Sequence, residues 1–148
     1  MSVETPNAPR HQGVDSRAEA PLQVCVIATT DRGTRAALRA AQSFAAGFSS
    51  HITLVIPHTV PYRQPLDRPF VPVAFTVARF QTLTADLDAD LSLRVCICRP
   101  GDVRFESVIP ANGIVLVGGM RRTWWRSREQ RLADQLSARG RRVLFVNY

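Results

Sequence analysis

Lysine is absent from this chain, so all 19 basic residues are arginine and the formal net charge is +7. Long hydrophobic runs are also absent, since no stretch approaches the ~18 consecutive apolar residues of a transmembrane helix. The first residues lack the apolar segment of a secretory signal. These absences predict a cytoplasmic protein with no membrane partner.

Sequence signatures of catalysis are missing as well. The chain has no Gly-x-x-x-x-Gly-Lys-Ser/Thr loop, no Gly-x-Gly-x-x-Gly after a strand and no Gly-x-Ser-x-Gly elbow. His51 and His58 flank a predicted strand, and neither has a Ser or Cys nucleophile at a characteristic spacing. We therefore expect a protein that is not an enzyme and has no catalytic residues.

Metal-binding patterns are equally incomplete. The three cysteines are Cys25, Cys96 and Cys98, and each lies in an apolar run with no histidine at ligand spacing, which favours buried thiols over a zinc site. The alternating aspartates of 86–90 lack the rest of a calcium loop, so a solvated acidic turn is the favoured interpretation. No metal site is predicted.

The periodicity of apolar residues predicts alternating strands and helices. Buried-type runs predict strands at Leu22–Ala28, His51–Pro57, Leu91–Cys98, Gly113–Val117 and Arg142–Tyr148. Amphipathic patterns predict a four-turn helix after residue 33, a second from Val73 to near Asp90, a short one at 103–109 and a last one after Ser127. Such alternation predicts a three-layer α/β/α sandwich with a five-stranded parallel sheet over residues 21–148, and residues 1–20 are predicted to be a disordered tail.

Local signals refine this prediction. Either Thr30 or Asp31 can cap the first helix, and Ser127 with Gln130 fits a capping box for the last. The alternation in Leu91–Cys98 predicts an edge strand. Four prolines between residues 58 and 72 exclude regular structure throughout that loop.

Two loops compete for a ligand at the carboxyl ends of the predicted strands, where parallel sheets bind their ligands. The first is Thr29–Gly33, and the second is Gly118–Ser127. Glycine lets a phosphate approach the backbone closely, and the second loop adds the guanidinium groups of Arg121, Arg122 and Arg126. An ordinary strand–helix connection with exposed arginines explains the same residues equally well.

The tryptophans of the second loop are the hardest residues to interpret. Packing of Trp124 or Trp125 beneath the last helix is the favoured interpretation, and stacking on a base or a partner protein is the alternative. Few other aromatic residues are interleaved with the eight arginines that follow residue 120. That basic end can attract an acidic protein partner or nucleic acid, and nucleic-acid binding is the less favoured interpretation.

The order of these segments resembles the universal stress protein family across about Leu22–Val146. VCVIATTDRGTRAALRAAQSFAAGFSSHITLVIPHTVP resembles the family's first strand, helix and second strand. LSLRVCICRPGD resembles its third strand and Gly-Asp turn, GIVLVGG its fourth strand and phosphate loop, and RLADQLSARGRRVLFV its last helix and strand. The resemblance implies a flavodoxin-like strand order of 3-2-1-4-5, homodimers formed along the last strand and, in some members, an ATP site.

The chain departs from the ATP-binding pattern of that family, so its motif is degenerate. An Asp follows the first strand in those members, whereas Thr29 stands there and Asp31 comes two residues later. The family loop reads Gly-x2-Gly-x9-Gly-Ser/Thr, and Gln130 and Arg131 occupy its last two positions.

The resemblance leads to a non-catalytic, dimeric regulatory module of the stress response as the favoured function. The alternative is a sensor of ATP or another adenine nucleotide, and an ATP-pyrophosphatase-type enzyme is less favoured because TTDRGT is not its Ser-Gly-Gly-x-Asp-Ser loop. The predicted nucleotide-binding residues are Thr29, Thr30, Asp31, Gly118, Gly119, Arg121, Arg122, Arg126 and Ser127.

Overall fold

The computed structural model describes residues 22–47, 50–102 and 104–148. The predicted disordered tail at residues 1–20 lies outside these ranges. The elements in chain order are β1 Gln23–Ile27, α1 Asp31–Gly47, β2 His51–Thr59, α2 Val73–Thr84, β3 Leu91–Cys98, a short 3-10 helix Arg104–Val108, β4 Ile114–Gly119, α3 Arg128–Ala138 and β5 Arg142–Asn147. No helix within these ranges is both long and apolar enough to cross a membrane.

The five strands form one parallel sheet in the order β3-β2-β1-β4-β5, which confirms the predicted α/β fold and strand order. The apolar runs of β1 and β4 have partners on both sides and are buried, as two-sided coverage by helices requires. β3 lies at one edge with half-buried side chains, as its alternation predicted. The order reverses direction between β1 and β4.

The two faces of the sheet have different cores. The α1/α2 face holds a cluster of buried residues that includes Val26, Leu38 and Phe80. The opposite face, called the α3 face below, is covered by α3 and the short 3-10 helix and includes Ile27 and Leu136. Side chains alternate between these faces along each strand, so both clusters draw on the same strands.

Several predicted boundaries differ from the structure. β2 continues through Thr59, two residues beyond its predicted end at Pro57. α2 ends at Thr84 and not near Asp90, because the aspartates that follow are poor helix formers. β4 extends through Gly119, whereas Gly118 was predicted to begin a loop. Both glycines pair with β5, in register with Val146 and Asn147.

Candidate functional site

The junction between β1 and α1 is held by two threonines. The Thr29 hydroxyl donates to the Gly118 carbonyl at 2.7 Å, and the Thr29 N–H donates to the hydroxyl of Thr34 at 2.9 Å. Thr30 is the cap of α1, because the Gly33 N–H donates to its hydroxyl at 3.1 Å. Both predicted site residues therefore shape the end of β1, with their remaining surface towards the carboxyl edge of the sheet.

Asp31 lies apart from the other predicted site residues. It is the first residue of α1, where the positive end of the helix dipole stabilises its negative charge. The same carboxylate forms an ion pair with Arg79 of α2. Asp31 thus joins two helices on the α1/α2 face and does not line either of the recesses described below.

Gly118 and Gly119 allow helices, rather than a phosphate, to approach the end of β4. A Cβ on Gly118 would lie 1.8 Å from the carbonyl oxygen of Gly33, at the first turn of α1. A Cβ on Gly119 would lie 2.6 Å from that of Glu129 in α3. The two glycines point to opposite faces, and each provides close contact between the sheet and a helix.

Three backbone N–H groups of the loop Met120–Ser127 have side-chain acceptors in the flanking β5 and α3. The Arg121 N–H donates to the Asn147 side-chain oxygen at 2.7 Å. The Gln130 side-chain oxygen accepts from the N–H groups of Arg122 at 3.2 Å and Ser127 at 2.8 Å. The Gln130 N–H donates to the Ser127 hydroxyl at 3.2 Å, which completes the predicted capping box.

The predicted arginines of this loop are directed differently from one another. Arg121 lies over the ring of Phe145, with 5.7 Å between its guanidinium carbon and the ring centre. Arg126 forms an ion pair with Asp134 in the middle of α3. Arg122 and Arg126 both line a recess beside the end of β5. Arg121 instead packs against Phe145 of the sheet.

The prediction that at least one tryptophan packs beneath α3 is wrong. Trp124 is 92% exposed and Trp125 79% exposed. The space beneath α3 is filled instead by Ala133 and Leu136 from the helix itself. A loop with its amides bound to Gln130 and Asn147 keeps its shape without burying a tryptophan.

A cavity of about 680 Å³ lies where β1, β2 and β3 end, on the α3 face; we call it the strand-end cavity. Its wall combines small and apolar groups with charged ones from α3. It is lined by Ala28, Thr29, Thr30, Pro57, Thr59, Cys98, Arg99, Pro100, Gly101, Asp102, Arg128, Glu129, Arg131, Leu132 and Gln135. Its position beside the reversal of strand order is where open parallel sheets bind ligands.

Most of this lining was missed at the level of sequence. The prediction considered the loops after β1 and β4, and the cavity lies instead between α3 and the turn that follows β3. A signal was present in Arg99-Pro100-Gly101-Asp102, which directly follows a predicted strand. Gly101 has a φ of 75°, a turn conformation that favours glycine.

Arg99 stabilises the proline-rich loop at the rim of the cavity. Its guanidinium donates to the carbonyl oxygens of Pro61 and Gln64, each at 2.7 Å, and lies over the ring of Tyr62. His58 fixes the other end of the loop, with ring nitrogens 2.9 Å from the Thr76 hydroxyl and 3.0 Å from the Val71 carbonyl. This loop is irregular between β2 and α2, as predicted.

A second recess of about 440 Å³ lies on the other side of the first turn of α3; we call it the arginine cleft. It contains four arginines and two aromatic rings from separate segments. It is lined by Thr30, Met120, Arg122, Trp125, Arg126, Ser127, Arg128, Glu129, Arg131 and Tyr148. The cleft and the strand-end cavity share Thr30, Arg128, Glu129 and Arg131.

The cysteines lie on the α3 face, where Cys25 and Cys98 are buried and Cys96 is half-buried. Burial raises the pKa of Cys25 to about 12, despite the opposing effect of Arg141. Burial also raises the pKa of Cys96 and of Cys98, which borders the strand-end cavity. In the described part of the chain no three His, Cys, Asp or Glu side chains come together as metal ligands, and Asp90 pairs with His51 at 2.9 Å.

Comparison with known proteins gives a likeness at the level of structure. No protein-family model matches the sequence, and no curated protein matches it significantly in sequence. A universal stress protein from Archaeoglobus fulgidus superposes with a TM-score of 0.59 at 10% identity, covering 91% of this chain and 100% of the other. A universal stress protein in complex with cAMP superposes with a TM-score of 0.51 at 17% identity, covering 86% and 98%.

These identities are low and the coverage of both chains is high. The strand order, the parallel pairing and the positions of the helices are therefore what the chain shares with those structures. The chain has the fold of the universal stress proteins.

Proposed function

We propose that this protein is a regulatory module of the universal stress protein type that binds an adenine nucleotide in the strand-end cavity. The observation that carries the proposal is that cavity, of about 680 Å³, at the carboxyl ends of β1–β3. The similar fold of a universal stress protein in complex with cAMP supports the choice of ligand class. The role in a stress response rests on the shared fold.

The chemistry of the cavity suits a base at one end and a phosphate at the other. Ala28, Pro57 and Leu132 present an apolar wall on which a purine can lie. Arg128 and Arg131, on consecutive turns of α3, present guanidinium groups that bind phosphate oxygens in pairs. Thr30 and Thr59 add hydroxyl groups for the ribose.

Three amides of Met120–Ser127 already have acceptors, which favours a nucleotide with one phosphate over ATP. A triphosphate needs several free backbone N–H groups, as a glycine-rich loop provides. Here the N–H groups of Arg122 and Ser127 donate to Gln130, and that of Arg121 donates to Asn147. AMP or a cyclic nucleotide needs only the two arginines of α3.

Calorimetric titration with cAMP, AMP and ATP, together with thermal unfolding, tests this proposal. A ligand at about 100 times its Kd stabilises the native state by roughly 2.7 kcal/mol, which is a clear shift in Tm. We expect Arg128→Ala to weaken binding and Arg142→Ala, an exposed arginine at the opposite edge of the sheet, to leave it unchanged. No binding of any of the three nucleotides at millimolar concentration would contradict the proposal.

A filling variant locates the ligand within the molecule. Thr59 is exposed at the end of β2 and lines the strand-end cavity but not the arginine cleft. Thr59→Phe is expected to abolish nucleotide binding while the unfolding midpoint without ligand changes little. Unchanged affinity in that variant would place the nucleotide elsewhere.

The proposed role is regulatory rather than catalytic. No histidine is among the described residues that line either recess, and burial raises the pKa of Cys98, the cysteine at the strand-end cavity. We expect the bound nucleotide to be recovered unchanged after prolonged incubation, as chromatography would show. Turnover that is lost on substitution of Arg128 would contradict this role.

We also propose a homodimer formed along β5. This strand pairs only with β4 within the described residues, and Leu144 on it is 40% exposed. Sedimentation velocity should find a dimer that Leu144→Asp converts into a monomer. The matched control is Ile97→Asp, because Ile97 is 45% exposed on β3 at the opposite edge of the sheet.

A further inference from the structure

The arginine cleft brings together residues that the sequence keeps far apart. Trp125 and four arginines come from the loop after β4 and the first turn of α3, and Tyr148 directly follows β5. We propose that this cleft binds single-stranded nucleic acid. This function goes beyond nucleotide binding in the strand-end cavity. The two recesses share Arg128 and Arg131, so the variants that test the cleft are made at Arg122 and Trp125, which line the cleft and not the cavity.

Two aromatic rings are available for bases in the cleft. Trp125 is 79% exposed, and Tyr148 is 37% exposed with Arg32 lying over one face at 5.1 Å. Stacking on an exposed ring is the main sequence-tolerant attraction between proteins and single strands. Trp125 and Tyr148 are 23 residues apart in the chain, so their joint presence in one cleft is a property of the fold.

The charge of the cleft is suited to a phosphate backbone. Arg122, Arg126, Arg128 and Arg131 line it together with the side-chain carboxylate of Glu129. Arg126 is already paired with Asp134 and so contributes less. Guanidinium groups are more weakly hydrated than ammonium groups and bind phosphate with two parallel hydrogen bonds.

The loop that carries Trp125 is held in place by side chains of the flanking α3 and β5. Gln130 and Asn147 accept from three of its backbone N–H groups, so the tryptophan side chains stay exposed on a defined backbone. Less conformational freedom is then lost when a ligand binds. An exposed aromatic residue on an ordered loop is a feature of a recognition surface.

A single strand fits this arrangement better than a duplex. Stacking needs bases whose faces are free, and duplex bases are already stacked on one another. Both rings line a recess of about 440 Å³ and do not form a ridge that would enter a groove. The expected ligand is therefore an unstructured DNA or RNA segment bound with little sequence preference.

Intrinsic fluorescence is a direct readout, because both tryptophans of the chain lie in this loop. We expect a dT oligonucleotide of about 12 residues to quench it saturably, and the corresponding duplex to do so far less. Binding should weaken with salt, with a slope of log K against log[salt] of about −0.7 for each phosphate contact. Arg122→Ala should reduce that slope by about this amount.

The two adjacent tryptophans provide a matched pair of variants. Trp125 lines the cleft and Trp124 does not. We expect Trp125→Ala to weaken oligonucleotide binding roughly 5- to 150-fold, the range for loss of one stacked base. Trp124→Ala should change the affinity less than about twofold, and circular dichroism and Tm would show that both variants fold. Equal losses in the two variants would overturn assignment to the cleft.

Other occupants of the surface give different results. Vesicles of phosphatidylcholine with phosphatidylglycerol would shift the emission to the blue if the tryptophans enter a lipid surface. That shift, together with no quenching by the oligonucleotide, would overturn the proposal in favour of an anionic membrane. Quenching that is insensitive to salt would overturn it as well, since arginine–phosphate contacts release counterions.

Discussion

The two faces of the sheet differ in how completely they are covered. On the α1/α2 face, two helices cover a cluster with twelve buried members among the described residues. On the α3 face, one helix and a five-residue 3-10 helix cover a cluster with eight. Both recesses of the proposed functions border α3, on the less completely covered side.

The difference shows how one α/β fold provides both stability and a binding site. The segment after β3 turns at Gly101 and forms only a 3-10 helix, so it leaves the ends of β2 and β3 uncovered on the α3 face. The α1/α2 face instead contacts β4 closely through Gly33 and Gly118. Substitutions on the two faces should therefore have different costs.

The largest effect is expected from Gly118→Ala, which breaks the closest contact of the α1/α2 face. The new Cβ would lie 1.8 Å from the Gly33 carbonyl oxygen, and both clashing groups belong to the backbone. We expect a loss of about 5 kcal/mol in the free energy of unfolding, above the roughly 1–3 kcal/mol usual for overpacking. Urea unfolding measures it.

Gly47→Ala is the control for that substitution, because a Cβ on Gly47 has nothing within 4 Å and lies in the last turn of α1. The control should be neutral or stabilising by up to about 1 kcal/mol. If Gly118→Ala unfolded at the same urea concentration as the wild-type protein, the result would contradict a close contact between β4 and α1.

A pair of leucines compares the two faces directly. Leu38 on the α1/α2 face and Leu136 on the α3 face are 1% and 0% exposed. Replacement of a buried leucine by alanine costs about 2–5 kcal/mol, and the cost falls where neighbours relax into the gap. We expect Leu38→Ala near the upper end and Leu136→Ala near the lower, in urea unfolding. The reverse order would contradict the unequal coverage.

Gln130→Ala tests the loop on the α3 face. The variant loses the reciprocal bond of the capping box and the acceptor for the Arg122 N–H, so we expect a loss of about 1–2 kcal/mol in the free energy of unfolding. Hydrogen exchange of the Arg122 and Ser127 amides should accelerate. Gln135→Ala in the same helix is the control, and an equal loss there would mean that Gln130 has no special role.

The smallest effect concerns thiol reactivity on the α3 face. The pKa of Cys25 is about 12, so at pH 8 only about one thiol in 10⁴ is ionised. Cys96 is half-buried near the edge of the sheet and should react first with a thiol reagent, although burial raises its pKa too. Mass spectrometry after timed labelling checks the order, and faster labelling of Cys25 would contradict it.

The fold followed from the sequence to a large extent, and the site to a small one. Local patterns predicted the buried runs of β1 and β4, the Ser127 cap and the edge position of β3, and the structure confirms all of them. They left Thr30 and Asp31 open as caps of α1, and the structure shows Thr30 in that role. The strand-end cavity was missed because its wall joins Arg99–Asp102 to α3, segments that are distant in the chain.

Gly118 and Gly119 show why local sequence patterns could not predict the binding site. Gly118 and Gly119 fit close approach of a phosphate as well as close approach of a helix, and only the neighbouring segment decides between them. At least one of Trp124 and Trp125 was expected to pack, because exposure of large apolar rings is unfavourable. Their exposure depends on Ala133 and Leu136 already filling the space under α3.

Apolar periodicity and helix caps by themselves predicted the strands and helices of this protein and their assembly into a parallel sheet, whereas the strand order was implied by the family resemblance. The period of side-chain burial depends only on residues three, four or two positions apart. Tertiary structure alone decided that Arg122, Trp125 and Tyr148 share one cleft, and that the loop amides bind Gln130 and Asn147 instead of facing a ligand. Such contacts join segments that are far apart in the chain, and a pattern within one segment does not determine how close it lies to another.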